Sequence, residues 1–282
     1  MPEINEIKIQ RILNPTAIDL GEYVINPFMG CEYACLYCYV RSNRVISKKN
    51  KPWGEYVDVR VNAPELLEKE LKSKNPKTVL LGSTTECFQP AEAGYGITKR
   101  LIEILNNHGV YYVILTRSPY IVNYIDLLKK GFCKRIYFTV NNFGQNFKNK
   151  LEPNSPPFNL RIEAVNSLLD ENITVVPYFS PVLPWISDFG EIFPVIKHFK
   201  SMEFECLNFN LKNIDVIIKN IGEIDTSIME QYKKMIESKM FYDKVWFDIK
   251  NKIVGYAKSS GADFNVHVHN FGGYFENKYK NI

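Results

Sequence analysis

Asn26-Pro27-Phe28-Met29-Gly30-Cys31-Glu32-Tyr33-Ala34-Cys35-Leu36-Tyr37-Cys38-Tyr39-Val40-Arg41 is the stretch on which the reading of this chain turns. It places Cys31, Cys35 and Cys38 within eight residues, directly after the apolar run Tyr23 to Ile25, which reads as a short strand. Three thiolates so close on one loop suit a single small, soft metal centre. A structural zinc site takes four protein ligands, and no fourth Cys or His follows at the spacing of a ribbon or finger. An iron-sulfur cluster of the four-iron kind also has four corners to fill. Three cysteines leave one iron open, so the centre reads as a place for chemistry rather than a staple.

Composition sets the frame. A chain of 282 residues can be one large domain or two small ones, and α/β barrels commonly take this length as one unit. With 45% hydrophobic and 13% aromatic residues it has ample material for a core. Lys and Arg exceed Asp and Glu by 35 − 31 = +4, too weak a balance to mark a nucleic-acid binder by itself. No apolar run is long enough to span a membrane, and Met1 to Glu6 lacks the basic-then-apolar order of a signal peptide, so a cytoplasmic location is expected. In that reducing compartment a cluster of three cysteines reads as metal binding, not disulfides.

Outward from the cysteines the chain falls into a rhythm. Residues 1–22 have no strong period and read as a lead-in. Arg41, Arg44, Lys48, Lys49 and Lys51 form a basic segment that reads as a solvated loop or, alternatively, as a phosphate-contacting rim. Tyr56 to Val61 alternates like an exposed edge strand, and Asn62 is placed to cap a helix from Pro64 to Lys72. Strands are expected at 78–82, 110–116, 135–140, 173–179 and 205–209, and helices at 97–106, 121–130, 161–170 and 192–199. Alternation of this kind predicts βαβ units and a parallel sheet, with about six strands forming an incomplete barrel. The barrel is expected over 23–225. A small C-terminal α/β appendage is expected over 226–282, with a helix at 228–240, a strand at 244–249, a helix at 253–260 and a strand at 264–268.

Cys31-x-x-x-Cys35-x-x-Cys38, with Tyr37 before its last cysteine, resembles the cluster motif of the radical S-adenosylmethionine (SAM) enzymes. Gly30-Cys31-Glu32 to Cys38-Tyr39, with Asn26-Pro27 ahead of it, is similar to the spore photoproduct lyase-like, DNA repair photolyase-related branch. The resemblance extends from about Gly21 to Asp188. It implies a partial (β/α)6 barrel, a 4Fe-4S cluster on Cys31, Cys35 and Cys38, and S-adenosyl-L-methionine as cosubstrate. It further implies reductive cleavage of SAM to a 5′-deoxyadenosyl radical that abstracts hydrogen from a substrate. The electron donor would be a ferredoxin or flavodoxin. The resemblance and the basic loop point to DNA or a nucleotide as substrate, while a charge of only +4 is equally compatible with a peptide or a small molecule.

The same resemblance assigns residues at the strand ends. Thr85-Glu86-Cys87-Phe88-Gln89-Pro90 resembles the branch's Thr-Asp-x-Tyr-Gln-Pro string, and implies that Thr85 contacts the amino group of SAM. An ordinary Ser/Thr turn is the plain alternative. Arg117, where the branch has Lys, is matched to the SAM carboxylate, which its guanidinium can hold as a fork; an ion pair within the fold is the alternative. Thr139 is matched to the ribose contact, against a simple β-branched strand residue. Tyr37 and Tyr39 match the tyrosines flanking the last cluster cysteine, and Tyr39 can relay a hydrogen atom or pack on the cluster.

The hydrogen-donor position of the lyase falls on Ser83, which cannot serve as that donor. Cys87 remains as the nearby thiol, and SAM cleavage without repair of the thymine-dimer lesion is the expected outcome. Glu152-Pro153 with Arg161 resembles the branch's Glu-Pro-spacer-Arg string and reads as a structural clamp. Cys133 and Cys206 read as buried small hydrophobes, and His198, His267 and His269 as weak metal candidates. Two rivals remain: an iron-sulfur electron-transfer or assembly protein without SAM chemistry, and a zinc-stabilised binding module.

Overall fold

The computed structural model describes residues 2–43, 49, 51–195, 199–260, 265–269 and 274–275. Contacts divide the chain into two units, one of Met1–Ala34, Lys48–Thr139 and Asn154–Val176, the other of Cys35–Ser47, Val140–Pro153 and Pro177–Ile282. The first unit holds β1 (Glu3–Ile7), β2 (Asn14–Pro15), β3 (Tyr23–Ile25), β4 (Phe28–Gly30), β5 (Tyr56–Arg60), β6 (Thr78–Leu81), β7 (Tyr111–Thr116) and β8 (Cys133–Thr139). Next along the chain, β9 (Val175–Val182) runs across the division, and β10 (Ser201–Cys206) and β11 (Asn265–His269) lie in the second unit. Six parallel strands, β3 and β6 to β10, alternate with helical connections, which is the α/β, partial (β/α)6 arrangement expected. Among the described residues no helix is long and apolar enough to cross a membrane.

In the first unit the strand order is β8-β7-β6-β3-β2, parallel except for the antiparallel β2–β3 pair. Val79, Leu80 and Leu81 of β6 are fully buried, as a parallel strand covered on both faces requires. The helix Ala63–Lys74 puts Leu67 and Leu71 into this core, and Ile97–Asn107 puts Leu101, Ile102 and Leu105 there. The helix expected at 121–130 begins as a tight 3₁₀ segment, Pro119–Tyr124, and is α-helical only over Ile125–Leu128.

Long-range contacts change three of the local readings. The strand β5 alternates in sequence like an exposed edge, yet Tyr56, Val57, Asp58 and Val59 are buried, because β5 lies between parallel β1 and antiparallel β4. Asn62 precedes its helix without capping it; its carboxamide accepts from Ile9 N at 2.9 Å and donates to Ile9 O at 2.9 Å. The supposed lead-in is thereby fastened to the fold, and Glu70 adds bonds to Ile12 N at 2.7 Å and Leu13 N at 3.2 Å. In the basic segment, Lys49 pairs with buried Asp58 and Lys51 with Glu3, while Arg44 and Lys48 lie outside the described residues.

In the second unit β10 pairs in parallel with both β9 and β11. Phe204 and Phe179 stack with ring centroids 5.9 Å apart, and Phe189 and Phe193 close over Phe204. The strand expected at 205–209 ends at Cys206, and Phe209 sits in an aromatic group with Tyr232, Tyr242 and Trp246. The strand expected at 244–249 is part of one long helix, Lys239–Ser259. Its buried residues Tyr242, Val245, Trp246 and Ile253 recur at three and four, the helical period, and the short apolar run disguised that spacing. The helix at 192–199 is described over Ile192–Val195, and His198 lies outside the described residues.

The helical placement of Trp246 is testable. Trp246→Ala is expected to lower the unfolding free energy by about 3–5 kcal/mol, as for a large buried side chain. Met240→Ala, at a position 82% exposed near the start of the same helix, is expected to stay within about 0.5 kcal/mol of wild type. Urea titrations compare the two, and equal effects would place Trp246 on the surface.

Candidate cluster and cofactor site

The approach to the first cysteine is fixed by a run of specific bonds inside the first unit. Just after β3, buried Asn26 accepts from Thr84 N at 2.9 Å and donates to Ser83 Oγ at 3.3 Å. The end of β4 is Gly30 at φ +98°, where a Cβ would stand 2.3 Å from Tyr56 O, so only glycine fits. Its carbonyl accepts from Thr85 Oγ1 at 2.7 Å. Gln89 carries the connection further, donating to Thr85 Oγ1 at 3.3 Å and accepting from Glu32 N at 2.9 Å. Glu32 in turn accepts from Ala91 N at 2.6 Å. Tyr33 OH donates to Ser118 Oγ at 2.8 Å, and Ser118 Oγ donates to Phe88 O at 2.6 Å.

Glu86 joins the turn after β6 to the end of β7. One carboxylate oxygen accepts from Thr116 Oγ1 at 2.7 Å and Phe88 N at 3.0 Å, and the other from Arg117 N at 2.9 Å. Burial pushes its pKa up, against the lowering effect of these bonds. Sequence reasoning placed Thr85 and Arg117 at these strand ends but missed Glu86 and Gln89, which position them. A lone acid inside a Ser/Thr turn was the available signal. Thr85 is buried with its hydroxyl bonded to Gly30 O, Arg117 is half-buried, and Thr139 ends β8 as a buried residue.

Cys87 is fully buried, 0% exposed, and its thiol is pushed up by desolvation and by the charges of Glu86, Glu92 and Cys31. Ser83 lies at the buried edge of the same turn. Cys206 is buried as expected, its thiol pushed up to about 12 by burial and then Glu205, whereas Cys133, also pushed up to about 12 by burial, is only half-buried, because it opens β8 at the strand's outer end.

The remaining cysteines belong to the second unit, where other side chains hold the loop. Cys38 N donates to Cys35 O at 3.3 Å, Arg41 Nε donates to Cys35 O at 2.8 Å, and Asn213 Nδ2 donates to Leu36 O at 2.8 Å. Leu36 N donates to Leu151 O at 2.8 Å, and Tyr37 OH donates to the fully buried Glu152 carboxylate. Asn141 Nδ2 joins them, 3.0 Å from Tyr37 OH and 3.1 Å from Glu152 Oε1. Of the residues read as a clamp, Glu152 thus serves the cysteine loop, and Arg161 Nε donates to Pro156 O at 2.8 Å in the proline-rich loop. Tyr39 is 51% exposed; desolvation, then Cys38 and Glu205, push its hydroxyl up to about 12, a shift that water on the open side screens.

None of the six cysteines is paired in a disulfide, and Cys31 and Cys35 are buried and Cys38 half-buried. Among the described residues no three His, Cys, Asp or Glu side chains are gathered as a site for one metal ion. A four-iron cluster takes each thiolate at a different iron, and three unbridged soft donors with a fourth corner left to a small molecule fit such a group. His267 on β11 is exposed. The family model described as the Radical SAM superfamily matches residues 25–191. The chain belongs to the radical SAM superfamily.

The uncharacterized protein MJ0683 of Methanocaldococcus jannaschii is 34% identical over 208 residues, 73% of this chain and 78% of that protein. Among solved structures, spore photoproduct lyase complexed with dinucleoside spore photoproduct matches with a TM-score of 0.66 at 15% identity, covering 95% of this chain and 82% of that one. SuiB of Streptococcus suis bound to precursor peptide SuiA matches with a TM-score of 0.52 at 12% identity, covering 92% and 51%. At these identities the two structures share the radical SAM fold with this chain.

Glu86 gives the site a pH signature. Its folded pKa lies above an ordinary value of 4.5, so folding takes up a proton between the two. That stabilisation is full below the unfolded value and falls as pH rises through the folded one. Glu86→Gln, neutral at every pH, removes this slope, so the variant is expected to gain on wild type as pH rises from 4.5. Urea titrations of the metal-free protein across that window measure it; parallel curves would mean that Glu86 ionises as it does in water.

Proposed function

We propose that this protein is a radical SAM enzyme whose cluster is held by Cys31, Cys35 and Cys38. When bound, the reduced cluster with SAM supplies a 5′-deoxyadenosyl radical that abstracts hydrogen from an organic substrate. The observation that carries this reading is that the cysteine motif begins on the segment which Thr85, Gln89 and Asn26 tie to the turn after β6. In that arrangement Thr85 positions the cysteine segment beside the amino end of SAM. Arg117, whose backbone Glu86 pins, would hold the SAM carboxylate, and Thr139, at the end of β8, would hold the ribose. Tyr37, buried against Glu152, keeps water from the second half of the loop, and Tyr39 and Cys87 are the residues able to pass on a hydrogen atom.

Electrons would come from a ferredoxin or flavodoxin. The likeness to the lyase complex supports a nucleic acid or nucleotide as the substrate. An electron carrier without SAM chemistry would not bind SAM, which makes SAM binding the discriminating measurement.

Alanine at Cys31, Cys35 or Cys38 is expected to abolish four-iron incorporation while leaving the circular dichroism of the fold in place, and Cys133→Ala is expected to incorporate iron normally. Iron analysis after anaerobic reconstitution reads this directly; equal iron in wild type and Cys35→Ala would remove the cluster assignment. Arg117→Ala is expected to weaken SAM binding by about 1.5–3 kcal/mol, the range for hydrogen bonds to charged groups, at unchanged iron content. Calorimetry on the reconstituted protein measures it, and an unaltered affinity would make Arg117 a structural residue.

A further inference from the structure

The described lysines of the basic segment are spent on ion pairs. Lys49 pairs with Asp58 and stands 5.3 Å from the centre of the Tyr56 ring, and Lys51 pairs with Glu3. The cation left over ends β5. Arg60 lies two residues past Asp58, on the same face of the strand, and is half-buried. Among the described residues no carboxylate forms an ion pair with it. Burial pulls its pKa down, and Asp58, already in contact with Lys49, acts on it only from beyond ion-pair distance. Two cations thus share one acid, and the patch keeps an excess positive charge.

The bonds of the guanidinium leave one of its edges uncommitted. Nη1 donates to Asn26 O at 2.9 Å, whereas Nε is buried without a hydrogen-bond partner, and Nη2 makes no bond among the described residues. Nε and Nη2 lie on one side of the planar group and form the fork that takes two oxygens of an oxyanion. Buried donors are nearly always satisfied and buried charges nearly always paired, so this edge asks for such a group. Its place is fixed by the Nη1 bond. Asn26, 5% exposed, accepts from Thr84 N at 2.9 Å and donates to Ser83 Oγ at 3.3 Å, and Arg60 N donates to Pro27 O at 3.1 Å. Arg60 is therefore bonded to the residue that holds the turn after β6.

We propose that Arg60 holds a phosphate group of the substrate on its Nε and Nη2 edge, beside the turn that receives SAM. The inference rests on the reading of the substrate as a nucleic acid or nucleotide, and it assigns the recognition of the phosphate to one side chain. The SAM carboxylate is the other oxyanion that could reach this place, and the two sources are separable because each can be titrated alone.

The test is calorimetry on the full chain, anaerobically reconstituted and loaded with SAM, with thymidine 5′-monophosphate and, separately, thymidine. Wild type is expected to bind the nucleotide about tenfold or more tighter than the nucleoside, as hydrogen bonds to a charged group require. In Arg60→Gln that preference is expected to vanish, with thymidine affinity, SAM affinity and iron content as in wild type. Arg60→Lys, which keeps the charge and loses the fork, is expected to weaken the nucleotide several-fold and provides the readout if Arg60→Gln fails to fold. A merely structural role at Asn26 would leave the ratio of nucleotide to nucleoside affinity unmoved. Equal binding of the two probes by wild type, or an unchanged ratio in the variants, would overturn the proposal. Loss of SAM affinity in Arg60→Gln would overturn it too, by giving the oxyanion to SAM. Absence of a cluster or of SAM binding in wild type would count against the enzyme reading instead, and the ratio would still be read in the same samples.

Discussion

Glu86 is a carboxylate taken almost wholly out of water, and the geometry of two strand ends depends on it. Its two oxygens collect three donors, from Thr116, Phe88 and Arg117, that would otherwise be left unsatisfied in the interior. An unsatisfied buried donor costs about 1–3 kcal/mol, so removing the acid would release the turn after β6 and the end of β7 together. Thr85 then transmits the position of that turn to Gly30 O, and Gln89 transmits it to Glu32 N. The backbone entering the cysteine motif is therefore placed by side chains more than fifty residues away in sequence.

What was legible in the sequence was whatever is written locally. The cysteine spacing, the alternation of apolar strands with helical periods and the residues at strand ends follow from short-range pattern, and they led to the α/β fold and the family. What failed was set by distant partners. Nothing in Tyr56 to Arg60 says that β1 and β4 flank it, and nothing near Asn62 says that Ile9 will occupy its carboxamide. The run from Lys244 to Ile249 was misread because six residues are too short to separate a strand from one face of a long helix. Part of the basic segment had a structural use, since burying Asp58 at 1% exposure called for a cation and Lys49 answers it.

The cysteine motif is supported by two different sets of side chains. Up to Ala34 the support is the turn after β6; from Cys35 it is Glu152, Asn141, Asn213 and Arg41. Left-handed backbone at Ala34, φ 55°, falls between the two sets. Such a conformation costs an alanine about 1–2 kcal/mol and persists only where the surroundings hold it. In the first unit the hold is visible: a side chain at Gly54 would place its Cβ 2.4 Å from Ala34 Cβ, so that glycine makes room for the turn.

Hydrogen return to a product radical needs an X–H bond that the radical can reach. Cys87 has the right chemistry, because desolvation and neighbouring negative charge keep its thiol protonated. Its location works against it, since the sulfur is fully buried and packs 3.2 Å from where a Cβ on Gly82 would stand. Gly82 itself is held at φ +86° beneath Leu115 O, which leaves the turn little freedom to open. Tyr39 offers an O–H, is half-exposed and follows directly on Cys38. Accessibility therefore separates the two residues: Cys87 is packing that keeps the turn closed, and Tyr39 reaches solvent beside the cysteine motif.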